Sequence, residues 1–123
     1  MNSKKILVIG ASANEWRYSF LAVNKLISHG YEVVAIGARK EKIKEVIIET
    51  GFPDFRDVDT VTIYLSEKNQ KQFYDYILKL KPRKIIFNPG AENKELEALA
   101  AENGIETIEA CTLVMLSTGE FSK

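Results

Sequence analysis

The sequence predicts an α/β fold in which helices cover both faces of a mainly parallel sheet. Short, continuous apolar runs rich in β-branched residues alternate with segments in which apolar residues recur at helical spacing. Continuous apolar runs of this kind are typical of strands that are buried on both faces. With 123 residues, the chain has the usual length of one domain with a single core.

The first half of the chain begins with a strand, a helix and a second strand. Lys5 to Gly10 is an apolar run ending at a glycine, which indicates a central parallel strand. From about Trp16 to His29 the apolar spacing is helical, and Gly30 is placed to end that helix. Tyr31 to Ile36 is again β-branched and predicts the second strand. Glu41 to Thr50 mixes charged and apolar residues, which leaves it open as a short helix or a strand.

The second half repeats this alternation. Asp59 to Leu65 predicts a strand, and the apolar stripe after it predicts a helix that stops before Pro82. Asn93 can cap the following helix. The remaining predicted elements are the strand Arg83 to Phe87, the helix Lys94 to Glu102, the strand Ile105 to Ile108 and a short terminal helix at Leu113 to Leu116.

This order of elements predicts one Rossmann-like domain over residues 1–123, with about five parallel strands joined by right-handed crossovers. In such sheets, ligands bind beyond the carboxyl ends of the strands, where the strand order reverses. We therefore expect any site to lie in the loops that follow the strands.

Composition limits the classes of partner. Lysine plus arginine and aspartate plus glutamate number 17 each, so no overall field attracts nucleic acid or an anionic membrane. No apolar run is long enough to cross a bilayer, and Met1 to Lys5 lacks the apolar core of a signal peptide. We expect a cytoplasmic protein that holds a small anionic ligand through local contacts.

The loop after the first strand has the chemistry of a phosphate-binding turn. Gly10 permits a sharp turn toward a helix N-terminus, where unpaired N–H groups favour an anion. Ala11 follows it, Ser12 adds a hydroxyl donor, and Arg17 is placed to pair with a phosphate. The further glycines of the G-x-G-x-x-G dinucleotide fingerprint do not follow. An ordinary strand-to-helix turn with a surface arginine is the alternative.

The loop after the second strand discriminates among nucleotides. Proteins that bind NAD usually place an acidic residue at this position to accept the ribose hydroxyls. Here Arg39 and Lys40 follow the strand instead, which favours a ribose that carries a phosphate, as in NADP or coenzyme A. A solvated pair of charges is the alternative.

The loop Asn88-Pro89-Gly90 follows a buried strand. Its proline and glycine fix a tight course that suits either close approach of a ligand or any short turn. The Asn88 amide can bind a neutral group without proton transfer.

The sequence offers no evident catalytic group. We expect His29 to end the first helix away from the ligand face, and we expect Cys111 to be a small buried residue. One histidine and one cysteine do not supply a zinc site or a nucleophile and base pair. The aromatic rings of Trp16, Tyr18 and Tyr64 either stack on an adenine or only pack.

The first loop resembles that of the small CoA-binding protein family, whose Rossmann-like domain is similar to the CoA-binding domain of the succinyl-CoA synthetase α subunit. That family typically has V-G-A-S-x-x-P-x-R-x-S at this loop, and this chain has VIGASANEWRYS over residues 8–19. The matching residues are Gly10, Ala11, Ser12, Arg17 and Ser19. The resemblance extends from about Lys5 to Leu116 and implies binding of coenzyme A or an acyl-CoA without a reaction.

The chain also departs from the family pattern. Glu15 replaces the usual proline, Gly37-Ala38 stands where Asn-Pro is common, and Leu65-Ser66 lacks the basic residue often found there. Asn88 to Gly90 replaces Gln-x-Gly, and Ala110-Cys111 replaces Arg-Cys. The resemblance implies that some contacts to the adenine nucleotide are absent.

Three hypotheses follow from these patterns. The first is a non-catalytic CoA-binding module that uses the residues named above in the loops after the first, second and fourth predicted strands. The second is a small NADP-dependent or acyl-CoA-handling enzyme. The third is a regulatory protein that has lost the ligand and binds a protein partner or a second copy of itself.

Overall fold

A computed structural model describes residues 4–123, and within this range it contains one seven-stranded sheet with helices on both faces. The strands are β1 (Lys5–Ala11), β2 (Glu32–Gly37), β3 (Glu41–Ile43), β4 (Val46–Glu49), β5 (Val58–Ile63), β6 (Lys84–Phe87) and β7 (Glu106–Glu109). The helices are α1 (Tyr18–Ser28), α2 (Glu67–Gln70), α3 (Tyr74–Leu80), α4 (Lys94–Glu102) and α5 (Thr112–Thr118). Short 3₁₀ turns at Lys71–Phe73 and Glu120–Ser122 follow α2 and α5.

The predicted fold class is confirmed. The strand order is β3-β4-β2-β1-β5-β6-β7, and every neighbouring pair is parallel except β3 with β4. All five predicted strands are present, and the segment that the sequence left open adds two more as an antiparallel hairpin. The prediction that Met1 to Lys5 form no signal peptide rests partly on residues 1–3, which lie outside the described residues. The prediction of a single domain over residues 1–123 also includes them and stays a prediction.

The two faces of the sheet bury separate cores because the side chains of β1 alternate between them. Leu7 and Ile9 pack into the core beneath the helices α3 and α4. Ile6 and Val8 pack into the core beneath α1 and α5. These four side chains are at most 1% exposed, as the continuous apolar run of β1 predicts for a central strand.

The order in which strands are added to the sheet reverses at β1, because β2 pairs with one edge of β1 and β5 with the other. The carboxyl ends of β1, β2 and β5 therefore border a switch point of the kind at which α/β sheets bind ligands. None of the helices described over residues 4–123 has the length and apolar character needed to span a membrane.

Candidate functional site

Gly10 shapes the switch point. The pairing of β1 with β2 shifts register between Ile9 and Ala11, and Gly10 between them has a φ of 91°. A Cβ atom at Gly10 would lie 3.0 Å from the Tyr64 carbonyl carbon and 3.2 Å from Leu65. Glycine is therefore required here both for its conformation and for the close approach of the loop after β5.

Short polar side chains hold the loop between β1 and α1 in shape. The Ser12 hydroxyl oxygen accepts a hydrogen bond from the Asn14 N–H at 3.0 Å, and Asn14 Oδ1 accepts one from the Trp16 N–H at 3.0 Å. The Asn14 carbonyl accepts the Arg17 N–H, also at 3.0 Å. Hydrogen bonds within the loop therefore hold its conformation without a ligand.

Arg17 occupies the N-cap position of α1, with extended backbone and no capping bond from its side chain. The first turn of this 11-residue helix also carries no acidic side chain. The positive end of the helix dipole and the exposed Arg17 guanidinium therefore act together at this loop.

These groups line a cavity of about 270 Å³, which we call the charged cavity. Two arginines and one carboxylate supply its charge, and a serine hydroxyl lies among them. Its lining residues are Gly10, Ala11, Ser12, Arg17, Ala38, Arg39, Glu41, Tyr64 and Leu65.

The loop after β2 contributes one of its two cations to the charged cavity. Gly37 cannot carry a side chain, because a Cβ there would lie 2.3 Å from the Ala11 carbonyl oxygen and 2.7 Å from Ile48 Cγ2. This tight junction directs the chain so that Arg39 lines the charged cavity. Lys40 does not line it and forms an ion pair with Glu49 at 3.7 Å.

A second cavity of about 450 Å³ adjoins the charged cavity, and the two share Gly10, Ala38 and Leu65. We call it the neutral cavity because no charged residue lines it. Apolar side chains and three polar side chains, those of Thr50, Asn69 and Gln72, make its wall. The full lining is Gly10, Ile36, Gly37, Ala38, Thr50, Gly51, Leu65, Asn69, Gln72 and Phe73.

Tyr64 lines the charged cavity and has an unusual hydroxyl. The hydroxyl oxygen is buried beside the Thr62 and Thr112 side chains but forms no well-aligned hydrogen bond among residues 4–123. Burial raises the pKa of Tyr64 to about 12, so the phenol is neutral at physiological pH. A buried hydroxyl without a well-aligned hydrogen bond costs free energy.

The loop after β6 is closed by its own contacts. Asn88 is 1% exposed, and its amide donates to Thr62 Oγ1 at 2.6 Å and to the Ile63 carbonyl at 2.9 Å. Its Oδ1 accepts the Thr112 N–H at 2.8 Å. The amide that the sequence offered for a ligand instead ties β5, β6 and α5 together.

Asn93 caps α4 as predicted, since its Oδ1 accepts the Leu96 N–H at 3.0 Å. Its amide donates to Gln70 Oε1 and to the Tyr74 hydroxyl, at 2.9 Å each. Both polar ends of the side chain are used by protein atoms.

The structure brings together half of the residues predicted for the site. Gly10, Ala11, Ser12, Arg17 and Arg39 line one cavity. Ser19 is buried on α1, Lys40 pairs with Glu49, and Pro89 and Gly90 are exposed in the loop after β6. Of the residues described, none in this second group, nor Asn88, lines either cavity.

Sequence reasoning missed four polar residues of the two cavities: Glu41, Thr50, Asn69 and Gln72. Glu41 is the first residue of the hairpin that the sequence left open, Thr50 directly follows that hairpin, and the other two follow the strand β5. Assigning residues 41–49 as strands would have indicated that Glu41 and Thr50 lie at the end of the sheet where the cavities are. Over residues 4–123, no group of three histidine, cysteine or acidic side chains is placed to hold a metal ion.

Solved structures share this fold. One crystal structure of an uncharacterized protein is 47% identical, with a TM-score of 0.92 over 97% of this chain and 98% of that one. A hypothetical protein from Pyrococcus horikoshii OT3 is 22% identical, with a TM-score of 0.83 over 92% of this chain and 81% of its own.

A larger neighbour is the dinucleotide forming acetyl-coenzyme A synthetase 1 from Ca. Korarchaeum cryptofilum, in complex with phosphate and ADP. It is 21% identical, with a TM-score of 0.70 over 89% of this chain and 26% of that chain. At this identity the likeness shows a shared fold. A search of curated protein sequences found no significant match.

The sequence profile of a family described as CoA binding domain matches residues 4–117. This match covers nearly the whole chain and confirms the resemblance that the loop after β1 indicated. The chain therefore belongs to the CoA binding domain family.

Proposed function

We propose that this protein binds coenzyme A or an acyl-CoA without catalysing a reaction, with the phosphates in the charged cavity. The observation that carries the proposal is the convergence of Arg17, Arg39 and Ser12, from two separate loops, on one cavity beside Gly10. Two guanidinium groups and a hydroxyl are the donor set that phosphate oxygens prefer. Family membership supports the same ligand.

The neutral cavity fits the uncharged parts of such a ligand. Ile36, Leu65 and Phe73 offer apolar surface, while the Asn69 and Gln72 amides offer donors and acceptors. A nucleoside base needs both kinds of contact. Because the two cavities adjoin, one ligand can place its phosphates in the first and a neutral group in the second.

Binding without reaction fits the lining chemistry. In the described part of the chain neither cavity is lined by histidine or cysteine, and the carboxylate of Glu41 accepts the Ala13 N–H. Covalent catalysis needs a nucleophile beside a base. The cytoplasmic location remains a prediction from the sequence.

Titration calorimetry with coenzyme A, acetyl-CoA and NADPH tests this proposal. We expect saturable binding of the two CoA species and weaker binding of NADPH. No heat with coenzyme A at millimolar concentration would contradict the proposal, and preferential binding of NADPH would support the NADP-dependent alternative.

The variant Arg17→Ala tests the location. We expect coenzyme A to bind roughly tenfold more weakly, because a charge-assisted hydrogen bond is lost. Arg56→Ala is the matched control, since Arg56 is also exposed and pairs with Asp54 at 3.2 Å, away from both cavities. Equal affinities for the two variants would place the phosphates elsewhere.

A further inference from the structure

Glu41 brings a carboxylate into the charged cavity. It is the first residue of β3, which begins at the edge of the sheet where β2 ends. Glu41 lines the cavity with Arg17 and Arg39, and its Oε1 accepts the Ala13 N–H at 3.3 Å. A negative group thus occupies part of the surface where an anionic ligand would bind.

The Ala13 N–H differs from its neighbours in the loop. The Asn14 and Trp16 N–H groups are bound at 3.0 Å by side chains two residues earlier, which keeps those bonds inside the loop. The bond from Ala13 is longer and reaches an acceptor 28 residues away, on a separate hairpin. Its acceptor can therefore be exchanged without unfolding the loop.

We propose that Glu41 is a built-in competitor that lowers and sets the affinity of the charged cavity for phosphate groups. In the free protein its carboxylate takes the Ala13 N–H. A phosphate placed between the arginines competes for that donor and is repelled by the carboxylate at short range. This inference deepens the proposed function but rests only on the cavity accepting an anion.

The test uses inorganic pyrophosphate as the probe, with calorimetry on the wild type and on Glu41→Gln. Glutamine keeps an oxygen that can accept the Ala13 N–H, so the loop keeps its shape while the negative charge is removed. We expect pyrophosphate to bind roughly three- to thirtyfold more tightly to Glu41→Gln. Glu41→Ala, which removes the acceptor as well, is expected to bind it more tightly than the wild type.

Glu45→Gln is the matched control. Glu45 lies in the turn of the same hairpin and carries the same charge, but it is exposed and does not line the charged cavity. We expect its affinity for pyrophosphate to equal that of the wild type. An equal gain in Glu45→Gln would mean that only net charge matters, which would overturn the inference.

Unchanged or weaker binding of pyrophosphate by Glu41→Gln, or no binding by either protein, would also overturn it. Titration of the same proteins with coenzyme A separates this result from the proposed function. Tighter pyrophosphate binding without any coenzyme A binding would support the competitor and refute the proposed function. If coenzyme A binds, and neither its affinity nor that of pyrophosphate differs between the wild type and Glu41→Gln, only the competitor role of Glu41 is refuted.

Discussion

Two loops at the same edge of the sheet each contain a glycine and polar residues but use their polar groups differently. The loop after β1 begins with Gly10 and presents Ser12 and Arg17 to a cavity. The loop after β6 contains Asn88 and Gly90, yet Asn88 is 1% exposed and both polar atoms of its side chain bind protein groups. The first loop leaves polar side chains open to a cavity, whereas the Asn88 side chain of the second joins strands and a helix.

A glycine and a polar residue after a strand therefore do not by themselves make a loop that lines a cavity. What decides the outcome is whether neighbouring elements already satisfy the polar side chain. The comparison predicts that substitutions in the loop after β6 change stability, and that substitutions of cavity-lining side chains near β1 and β2 change affinity.

Asn88→Ala is expected to have the largest effect. Three hydrogen bonds are lost, and Thr62 Oγ1 and the Thr112 N–H lose a buried partner. We expect the free energy of unfolding to fall by about 2–4 kcal/mol, as measured by urea denaturation. Asn103→Ala, which removes one exposed bond to the Leu99 carbonyl, is the control and should cost less than about 1 kcal/mol. Similar losses in both variants would contradict the structural role of Asn88.

Gly37→Ala is expected to have the second largest effect on stability. The added methyl group would lie 2.3 Å from a backbone oxygen, so β1 and β2 must separate, at a cost of about 2–3 kcal/mol. In Gly90→Ala the added methyl group meets nothing within 4 Å. The only cost is the strain of alanine at a φ of 92°, which should lower the free energy of unfolding by about 1 kcal/mol. Thermal denaturation of the two variants measures the difference. A greater loss in Gly90→Ala would show that the loop after β6 is the more constrained one.

Arg39→Ala and Lys40→Ala form a matched pair, because adjacent residues of equal charge have different positions. Arg39 lines the charged cavity, whereas Lys40 pairs with Glu49 at 3.7 Å. We expect Arg39→Ala to weaken coenzyme A binding about fivefold and Lys40→Ala to leave it within about twofold, by calorimetry. The reverse order would move the nucleotide phosphate to Lys40.

Tyr64→Phe is expected to have the smallest effect and the opposite sign. It removes a buried hydroxyl that lies beside Thr62 and Thr112 without a well-aligned hydrogen bond, so the free energy of unfolding should rise by at most about 1 kcal/mol. The raised pKa of Tyr64, about 12, means that the wild type keeps its stability below pH 10 and loses it as pH rises toward 12. The advantage of Tyr64→Phe should therefore be constant below pH 10 and grow above it. Destabilisation by Tyr64→Phe at pH 7 would show that the hydroxyl has a partner.

The sequence predicted most of the fold because local signals specify it. The apolar run of β1, the helical spacing of α1 and the Asn93 cap of α4 each agree with the structure. The β3–β4 hairpin was left open because its turn, at Lys44 and Glu45, has none of the usual glycine or asparagine signals, although Lys44 has a φ of 53°.

The site was harder to predict than the fold because distant contacts determine it. Nothing near Asn88 in the chain indicates that Thr62 and Thr112 bind its amide. Likewise, Glu41 directly follows Lys40 in the sequence, but nothing there indicates that its carboxylate accepts the Ala13 N–H and lines the charged cavity. Both outcomes depend on contacts between residues far apart in the sequence.

The most direct test of the central claim, that the ligand binds at the ends of β1 and β2, is a ¹H–¹⁵N correlation spectrum recorded during titration with coenzyme A. We predict that amide shifts concentrate in residues 10–17 and 37–41. The indole signal of Trp16, the single tryptophan of the chain, should move with them. Shifts concentrated in residues 88–93, or an unchanged spectrum at millimolar coenzyme A, would contradict the claim.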